Sequence, residues 1–146
     1  MTLREVKKAI SGHENVEFSG KVAPEQISLA QERLGVRFPP QYTEFLSEFG
    51  CGGVGSEKFF GLGSPKHLDV VETTLWLRNR FAYTAFSGAL IPIRADGFGD
   101  CIDTDRPTAN GEYMISFWSH ESRAFVEDLA PSYFEWMMGV LELARN

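Results

Sequence analysis

Four aspartates, Asp96, Asp100, Asp103 and Asp105, are the side chains of this chain best suited to chemistry. They lie in one stretch, residues 91–105, in which two apolar runs flank a turn rich in Asp and Gly. Such carboxylates bind a hard cation when several oxygens converge, attract a basic protein by their charge, or cap backbone N–H groups of turns. The residue types alone leave these three possibilities open.

The spacing of the four aspartates disfavours a metal site. A calcium loop of the EF-hand type needs Asp-x-Asp-x-Asp-Gly and a more distant Glu, which this stretch lacks. In a strand, Asp103 and Asp105 would share one face while Asp100 would take the other. The pattern favours turn capping with a solvated acidic rim, and it predicts no bound metal and no cofactor. A metal-assisted hydrolase that uses the aspartates of 96–105 is the remaining enzyme hypothesis.

The histidines do not form a catalytic group in the sequence. His13, His67 and His120 are scattered along the chain, without the paired spacing of a zinc-binding helix. Ser119, His120 and Glu121 have the residue types of an acyl-transfer triad, but adjacent residues cannot adopt its geometry. We therefore predict no catalytic residue, and we expect the chain not to be an enzyme.

Cys51 and Cys101 are the only cysteines. Cys51 follows the predicted C-terminal end of a helix, where the helix dipole disfavours a thiolate. Cys101 lies in a predicted strand and has the character of a small buried apolar side chain. Both thiols are therefore predicted to be inert. The two cysteines lack the paired spacing of a metal site, and their small number is typical of a protein from a reducing compartment.

The charge of the chain indicates the class of its partner. Its 146 residues carry 14 Lys and Arg against 20 Asp and Glu, a formal net charge of −6 at pH 7. This charge would repel a phosphate backbone, so nucleic acid is not expected as a direct ligand, whereas a basic protein would be attracted. No run approaches the ~20 apolar residues that span a bilayer, and the N-terminus lacks a secretion signal. We expect a cytoplasmic protein that binds a basic protein and no membrane.

Trp118 and Glu121 extend the predicted binding surface. Tryptophan is enriched among the residues that carry interface energy. Trp118 lies at a strand end beside Ser119, so it is expected to be more exposed than Trp76 or Trp136. The predicted partner surface therefore consists of Asp96, Asp100, Asp103, Asp105, Trp118 and Glu121.

The helices and strands that must position these residues can be predicted from the sequence pattern. Proline at helix starts, glycine at helix ends and apolar residues at helical intervals predict helices at 3–10, 24–34, 40–49 and 65–80, and from 131 onward. A hairpin is predicted to join 90–95 to 101–104, and further strands are predicted at 58–62, 112–118 and 123–129. Residues 11–20 are predicted to be a connector and 50–55 an irregular turn. No linker or repeat divides residues 1–146, which predicts a single domain.

Several motifs, taken together, resemble the signatures of a known family. They include Ile27-x-x-Ala30 leading to Leu34-Gly35, then Phe38-Pro39 and Gly52-Gly53, and later Ile91-Pro92-Ile93 before Asp-Gly-Phe-Gly-Asp. In this order, over residues 24–141, they are similar to the SUKH superfamily, the Smi/Knr-like family. Cys51 stands where that family often has Asn. The positions that carry the resemblance are Leu34, Gly35, Pro39, Tyr42, Phe45, Leu46, Gly52, Gly53, Pro92, Gly97 and Gly99.

The resemblance implies a fold and a class of function. It implies an α+β domain in which helices pack on a mainly antiparallel sheet, without a catalytic constellation. Many bacterial members of this family are immunity proteins that neutralise a cognate toxin, often a nuclease, by binding it. Fungal members regulate cell-wall synthesis and signalling, which leaves a regulatory scaffold as the alternative. We expect the bacterial function, with a toxin as the basic partner.

Overall fold

The computed structural model describes residues 1–80, 88–95, 99–119, 121–122 and 124–144, and in these residues helices pack on two antiparallel sheets. The predicted α+β fold is therefore confirmed. The helices are α1 (Leu3–Ser11), α2 (Pro24–Leu34), α3 (Pro40–Phe49), α4 (Val70–Arg80) and α5 (Tyr133–Ala144). The strands are β1 (Val16–Phe18), β2 (Gly52–Val54), β3 (Glu57–Phe59), β4 (Leu90–Pro92), β5 (Asp100–Pro107), β6 (Tyr113–Ser119) and β7 (Ala124–Ala130).

The two sheets meet at their edges. One has the strand order β1-β2-β3 and the other β4-β5-β6-β7. The Phe60 N–H donates to the Ile93 carbonyl at 3.1 Å, and the Ala95 N–H donates to the Lys58 carbonyl at 3.0 Å. These bonds join the end of β3 to the segment that follows β4, so the N-terminal and C-terminal halves of the chain share a backbone ladder.

The central hairpin forms as predicted. In the pairing of β4 with β5, Ile91 lies opposite Ile102 and Pro92 opposite Cys101. The Ile93 N–H extends the ladder by donating to the Asp100 carbonyl at 3.0 Å. The turn residues Asp96 and Gly97 lie outside the described residues.

The helix boundaries follow the capping residues. Helix α2 begins at Pro24 and ends before Gly35, whose φ of 67° is left-handed, as predicted. At α5 the Glu135 N–H donates to Ser132 Oγ at 3.4 Å, which is the N-cap bond of a capping box. Helix α4 begins at Val70 instead of residue 65, because Asp69 caps it: the Asp69 carboxylate accepts the Val71 N–H at 2.8 Å.

Two short strands were missed by the sequence prediction. The predicted connector 11–20 contains β1, and the predicted irregular turn 50–55 contains β2. Glycine is depleted in strands, which is why the pattern pointed to a turn. Here its missing side chain is required, because a Cβ on Gly52 would overlap the Glu17 carbonyl oxygen and a Cβ on Gly53 that of Glu57. The glycines let the strands approach closely.

Helix α5 lies at the centre of the fold. It contacts α1, α3 and strands of both sheets. Tyr133 and Trp136 of α5 pack on Tyr42, Phe45 and Phe59, with ring centroids 4.9 to 5.7 Å apart in the pairs Tyr42–Tyr133, Phe45–Tyr133 and Phe59–Trp136. These side chains are at most 4% exposed, so one aromatic core joins the two halves.

A helix that spans a membrane must be both long and apolar. Among the helices of the described residues, none combines enough length with enough apolar character to cross a bilayer.

Glu112 caps two helices at once. This buried side chain accepts the Gln41 N–H of α3 at 3.0 Å and the Tyr133 N–H of α5 at 3.4 Å. Gln41 in turn accepts the Phe134 N–H at 2.8 Å through its side-chain oxygen. A carboxylate is favourable at the positive end of a helix dipole, and here two N-terminal ends share it.

Candidate partner-binding surface

The predicted acidic rim is only partly at the surface. Asp105 and Glu121 are exposed, as predicted, and Asp96 lies outside the described residues. Asp100 and Asp103 are only 4% and 5% exposed, and Trp118 is 1% exposed. The prediction of a solvated rim is therefore wrong for Asp100 and Asp103, and the predicted exposure of Trp118 is wrong as well. A partner cannot reach these three side chains in this conformation.

Asp100 is buried because it connects α5 to the hairpin. Its Oδ2 accepts the Trp136 indole N–H at 2.7 Å and lies 3.6 Å from Nη1 of Arg94. Arg94 also donates to Glu57 Oε2 from Nε at 3.0 Å and from Nη2 at 2.6 Å. Burial raises the pKa of Asp100, and the contacts with Trp136 and Arg94 oppose that rise. This buried ion cluster of Glu57, Arg94, Asp100 and Trp136 is structural.

Trp118 belongs to the core beside the hairpin. The backbone N–H of Trp118 donates to the Gly99 carbonyl at 2.8 Å. The Trp118 side chain packs with Leu77, Leu90 and Cys101. A Cβ on Gly99 would overlap the Trp118 carbonyl oxygen, so this glycine permits close strand packing. The expected order of exposure is thus reversed, since Trp76, on α4, is the exposed tryptophan at 59%. The prediction for Trp118 failed because its place at a strand end does not reveal that Leu77 of α4 packs against it.

Arg106 forms the main exposed ion pair of strand β5. Its guanidinium donates to both oxygens of Asp128, from Nη1 at 2.6 Å and from Nη2 at 2.8 Å, and to Ser116 Oγ at 3.2 Å. The charges of Asp105, Arg106 and Asp128 lie close enough to Asp103 to shift the pKa of its carboxyl group. We call Asp103, Asp105, Arg106 and Asp128 the acidic patch, in which the charges of Asp105, Arg106 and Asp128 all act on Asp103.

The position of the acidic patch differs from the predicted one. Strand β5 runs from Asp100, beside the hairpin turn, to Pro107 at its other end. At about 3.3 Å per residue, Asp105 lies roughly 15 Å along the strand from Asp100, so the four aspartates do not share one end. Arg106 and Asp128 were missed, because their meeting depends on the pairing of β6 with β7, in which Asp128 lies opposite Ser116.

The electrostatic states within the acidic patch differ. The Arg106 guanidinium lowers the pKa of Asp128 and keeps that exposed carboxylate ionised. Burial raises the pKa of Asp103, and the neighbouring charges of Asp105 and Asp128 add to the rise while Arg106 opposes it. The Asp103 side chain also accepts the Asp105 N–H at 3.1 Å. Asp105 and Asp128 are therefore the carboxylates that a partner can meet, and Asp103 supports the strand beneath them.

Both cysteine thiols are buried in the structure. Cys51 is fully buried, with Sγ 3.6 Å from Ser19 Oγ and 3.4 Å from the Ser64 carbonyl. Burial raises the pKa of both Cys51 and Cys101, which disfavours the reactive thiolate. Among the residues that the structure describes, no three His, Cys, Asp or Glu side chains are grouped so that they could hold a metal ion.

The comparison with known proteins decides the family. Residues 3–142 match the sequence profile of the family SUKH_5, described as SMI1-KNR4 cell-wall. The chain belongs to this SMI1-KNR4 family. A crystal structure of a protein from Pseudomonas syringae pv. tomato has the same fold, with a TM-score of 0.67 at 22% sequence identity, over 93% of this chain and 98% of that chain. No curated protein matches the sequence.

The SMI1-KNR4 signatures occupy structural positions in this chain. Leu34, Tyr42, Phe45 and Leu46 are at most 3% exposed, and Tyr42 donates to the Phe60 carbonyl at 2.9 Å. The signature glycines 52, 53 and 99 allow close backbone packing. These signature residues thus specify the scaffold.

Asp103→Asn tests the electrostatics of the acidic patch. Because the pKa of Asp103 is raised in the folded state, the native protein takes up this proton first as pH falls, and its stability rises over that range. Asparagine keeps an acceptor for the Asp105 N–H without the buried charge. We expect the variant to be more stable by on the order of 1 kcal/mol at about pH 8. That advantage should shrink as pH falls through the folded-state pKa of Asp103.

Urea unfolding at several pH values measures this effect. The matched control is Asp105→Asn, which removes an exposed carboxylate two residues away. It is expected to change stability by less than about 0.5 kcal/mol. A loss of stability in Asp103→Asn at about pH 8 would show that the buried carboxylate is net stabilising, contrary to this account.

Proposed function

We propose that this SMI1-KNR4 protein is a non-enzymatic binding domain, an immunity protein that neutralises a cognate bacterial toxin by occupying a basic surface on it. The observation that supports this proposal is the acidic patch, where exposed Asp105 and Asp128 lie outside the family signature, on a chain with net charge −6. The scaffold is fixed by buried residues, so the exposed side chains are free to match one partner. Inhibition is then stoichiometric.

The geometry of the acidic patch suits a cationic partner. The two hydrogen bonds from Arg106 hold the Asp128 carboxylate in one orientation. The three carboxylates of the patch outnumber its one guanidinium, which leaves a net negative charge that would attract Lys or Arg of a toxin active site. Such charges raise the association rate by steering the encounter, and salt screens the effect. The same charges disfavour direct binding to nucleic acid.

The proposal that the domain has no catalytic activity is supported by its chemistry. The buried thiols have raised pKa values, and the carboxylates of Glu57, Asp100 and Asp128 are paired with arginine. A hydrolase that uses the aspartates of 96–105 would need several of their oxygens to converge. Asp100 instead binds Trp136, and Asp105 lies far along the strand from it.

The double variant Asp105→Asn/Asp128→Asn tests the binding surface. The flanking reading frames are searched first for one that encodes a toxin-like protein, and the probe is its purified product in an inactivated form. We expect the association rate to fall about tenfold at low salt and its dependence on salt to become shallower. Stopped-flow mixing over a range of salt concentrations measures both quantities, and the melting temperature should remain nearly unchanged.

The control for this test is Glu25→Gln/Glu32→Gln, on the exposed surface of α2. It changes net charge by the same amount at a different place, so it should reduce the association rate less. Equal rates for the two double variants would contradict binding at the acidic patch. If the wild-type protein neither binds the neighbouring product nor restores growth of cells that make it, the immunity function is wrong.

The second candidate is a regulatory scaffold domain, which the cell-wall description of the family favours. Its partner would be a protein of the same cell that is not toxic. Deletion of the gene separates the two candidates. An immunity protein is essential only when the neighbouring toxin is made, whereas loss of a cell-wall regulator should change sensitivity to cell-wall stress without any toxin.

A further inference from the structure

The most exposed tryptophan of the chain lies on α4. Trp76 is 59% exposed, whereas Trp118 and Trp136 are at most 4% exposed. The guanidinium carbon of Arg80 lies 5.6 Å from the centre of the Trp76 ring, one helical turn further on. This stacking gives the ring a cationic neighbour. Tryptophan and arginine are both among the residue types enriched at the energetic centre of protein interfaces.

The surroundings of Trp76 form a continuous surface across two helices. Glu72, Trp76 and Arg80 are spaced four residues apart, so they follow one side of α4. Arg33 of α2 donates to Glu72 at 3.2 Å, and both side chains are about half exposed. Leu29, one turn before Arg33, is 56% exposed. We call Glu72, Trp76 and Arg80 the α4 stripe, with Arg33 and Leu29 at its margin.

We propose that the α4 stripe binds the same stripe of a second copy of this chain, with the two α4 helices antiparallel. A two-fold axis through Trp76 places residue 72 of one copy opposite residue 80 of the other, because both are four residues from the axis. Glu72 then faces the partner's Arg80, and Arg80 faces the partner's Glu72. The two Trp76 rings meet at the axis and are buried there.

The charges on the α4 stripe select this arrangement. In a parallel pairing, Glu72 would face the partner's Glu72 and Arg80 the partner's Arg80, and both contacts would be repulsive. The antiparallel pairing converts them into two attractive contacts around an apolar centre. The stripe is thus self-complementary, as a two-fold interface requires. This inference is independent of the acidic patch and of any toxin.

The oligomeric state in solution tests the inference directly. Sedimentation velocity from about 1 µM to about 1 mM is expected to show a monomer–dimer equilibrium. Trp76→Ala should weaken dimerisation at least about 30-fold, as the loss of a central interface residue does. Leu143→Ala removes another large exposed apolar side chain, on α5 and 63% exposed, and should leave dimerisation unchanged. Circular dichroism verifies that each variant is folded.

A charge exchange tests the pairing itself. Glu72→Arg and Arg80→Glu should each weaken the dimer about tenfold, because each places two like-charge contacts across the axis. The double variant Glu72→Arg/Arg80→Glu restores both contacts with the signs reversed, so it should dimerise more tightly than either single variant. A wild-type monomer over the whole concentration range overturns the proposal. So does a dimer that Trp76→Ala leaves intact, or a double variant no tighter than the single ones.

Discussion

Gly99→Ala is expected to destabilise the fold by more than about 3 kcal/mol, the upper range for overpacking in a rigid interior. A Cβ at this position would overlap the backbone of Trp118, including its carbonyl oxygen. The Gly99 carbonyl also accepts the Trp118 N–H at 2.8 Å, so the two strands cannot separate without losing that bond. Urea unfolding followed by Trp fluorescence measures the loss, and so does the yield of folded protein.

The matched control is Gly139→Ala, in the middle of α5. An added Cβ at this exposed position meets no atom within 4 Å. Alanine is a better helix former than glycine, so this variant should gain up to about 1 kcal/mol. The same chemical change therefore has opposite signs at the two sites. A Gly99→Ala variant as stable as the wild-type protein would show that the strands have room to move apart.

Arg94→Met is expected to cost about 3–5 kcal/mol, because it leaves the buried carboxylates of Glu57 and Asp100 without their cation. The side chains of Arg94, Glu57 and Asp100 are 12%, 15% and 5% exposed, so water cannot replace the lost contacts well. Methionine keeps most of the apolar volume of the arginine stem. Chemical unfolding at about pH 8 measures the loss of stability. This loss is mainly electrostatic, because the substitution removes the charge and keeps most of the volume.

The dependence of this loss on pH identifies its cause. Without Arg94, the pKa of Asp100, already raised by burial, should rise further. The folded variant then binds a proton at a pH at which the unfolded chain is still ionised, so its stability should increase as pH falls from about 8 towards about 5. Arg33→Met, at an ion pair that is about half exposed, should cost less than about 1 kcal/mol. A loss in Arg94→Met that does not change with pH would point to packing instead.

The fold was largely predictable, because its local signals are strong. Pro24, Gly35, Ser132 and the alternating run before Ser119 mark ends of helices and strands through backbone preferences that tertiary structure did not override. The predictions failed where tertiary contact reverses a local preference. Gly52 has the local preference of a turn residue, but it lies in a strand because the Glu17 backbone packs closely against it.

The candidate site was less predictable, since burial and cross-strand register are not local properties. The aspartates of the hairpin have similar sequence surroundings, yet Asp100 binds Trp136, which lies 36 residues away. Asp128 meets Arg106 only through the pairing of three strands, with a register shift between Asp103 and Pro107. Trp76 was judged by its residue type, although its exposure depends on which side of α4 the sheet covers.

The shared cap at Glu112 has a consequence for how the domain opens. Helices α3 and α5 are far apart along the chain, yet one carboxylate holds the first turn of each. If either turn frays, the carboxylate loses one of its two backbone donors while it stays buried, which costs on the order of 1–3 kcal/mol. Opening of either helix start therefore carries a penalty at the carboxylate that caps the other, so both starts are expected to be protected from local unfolding.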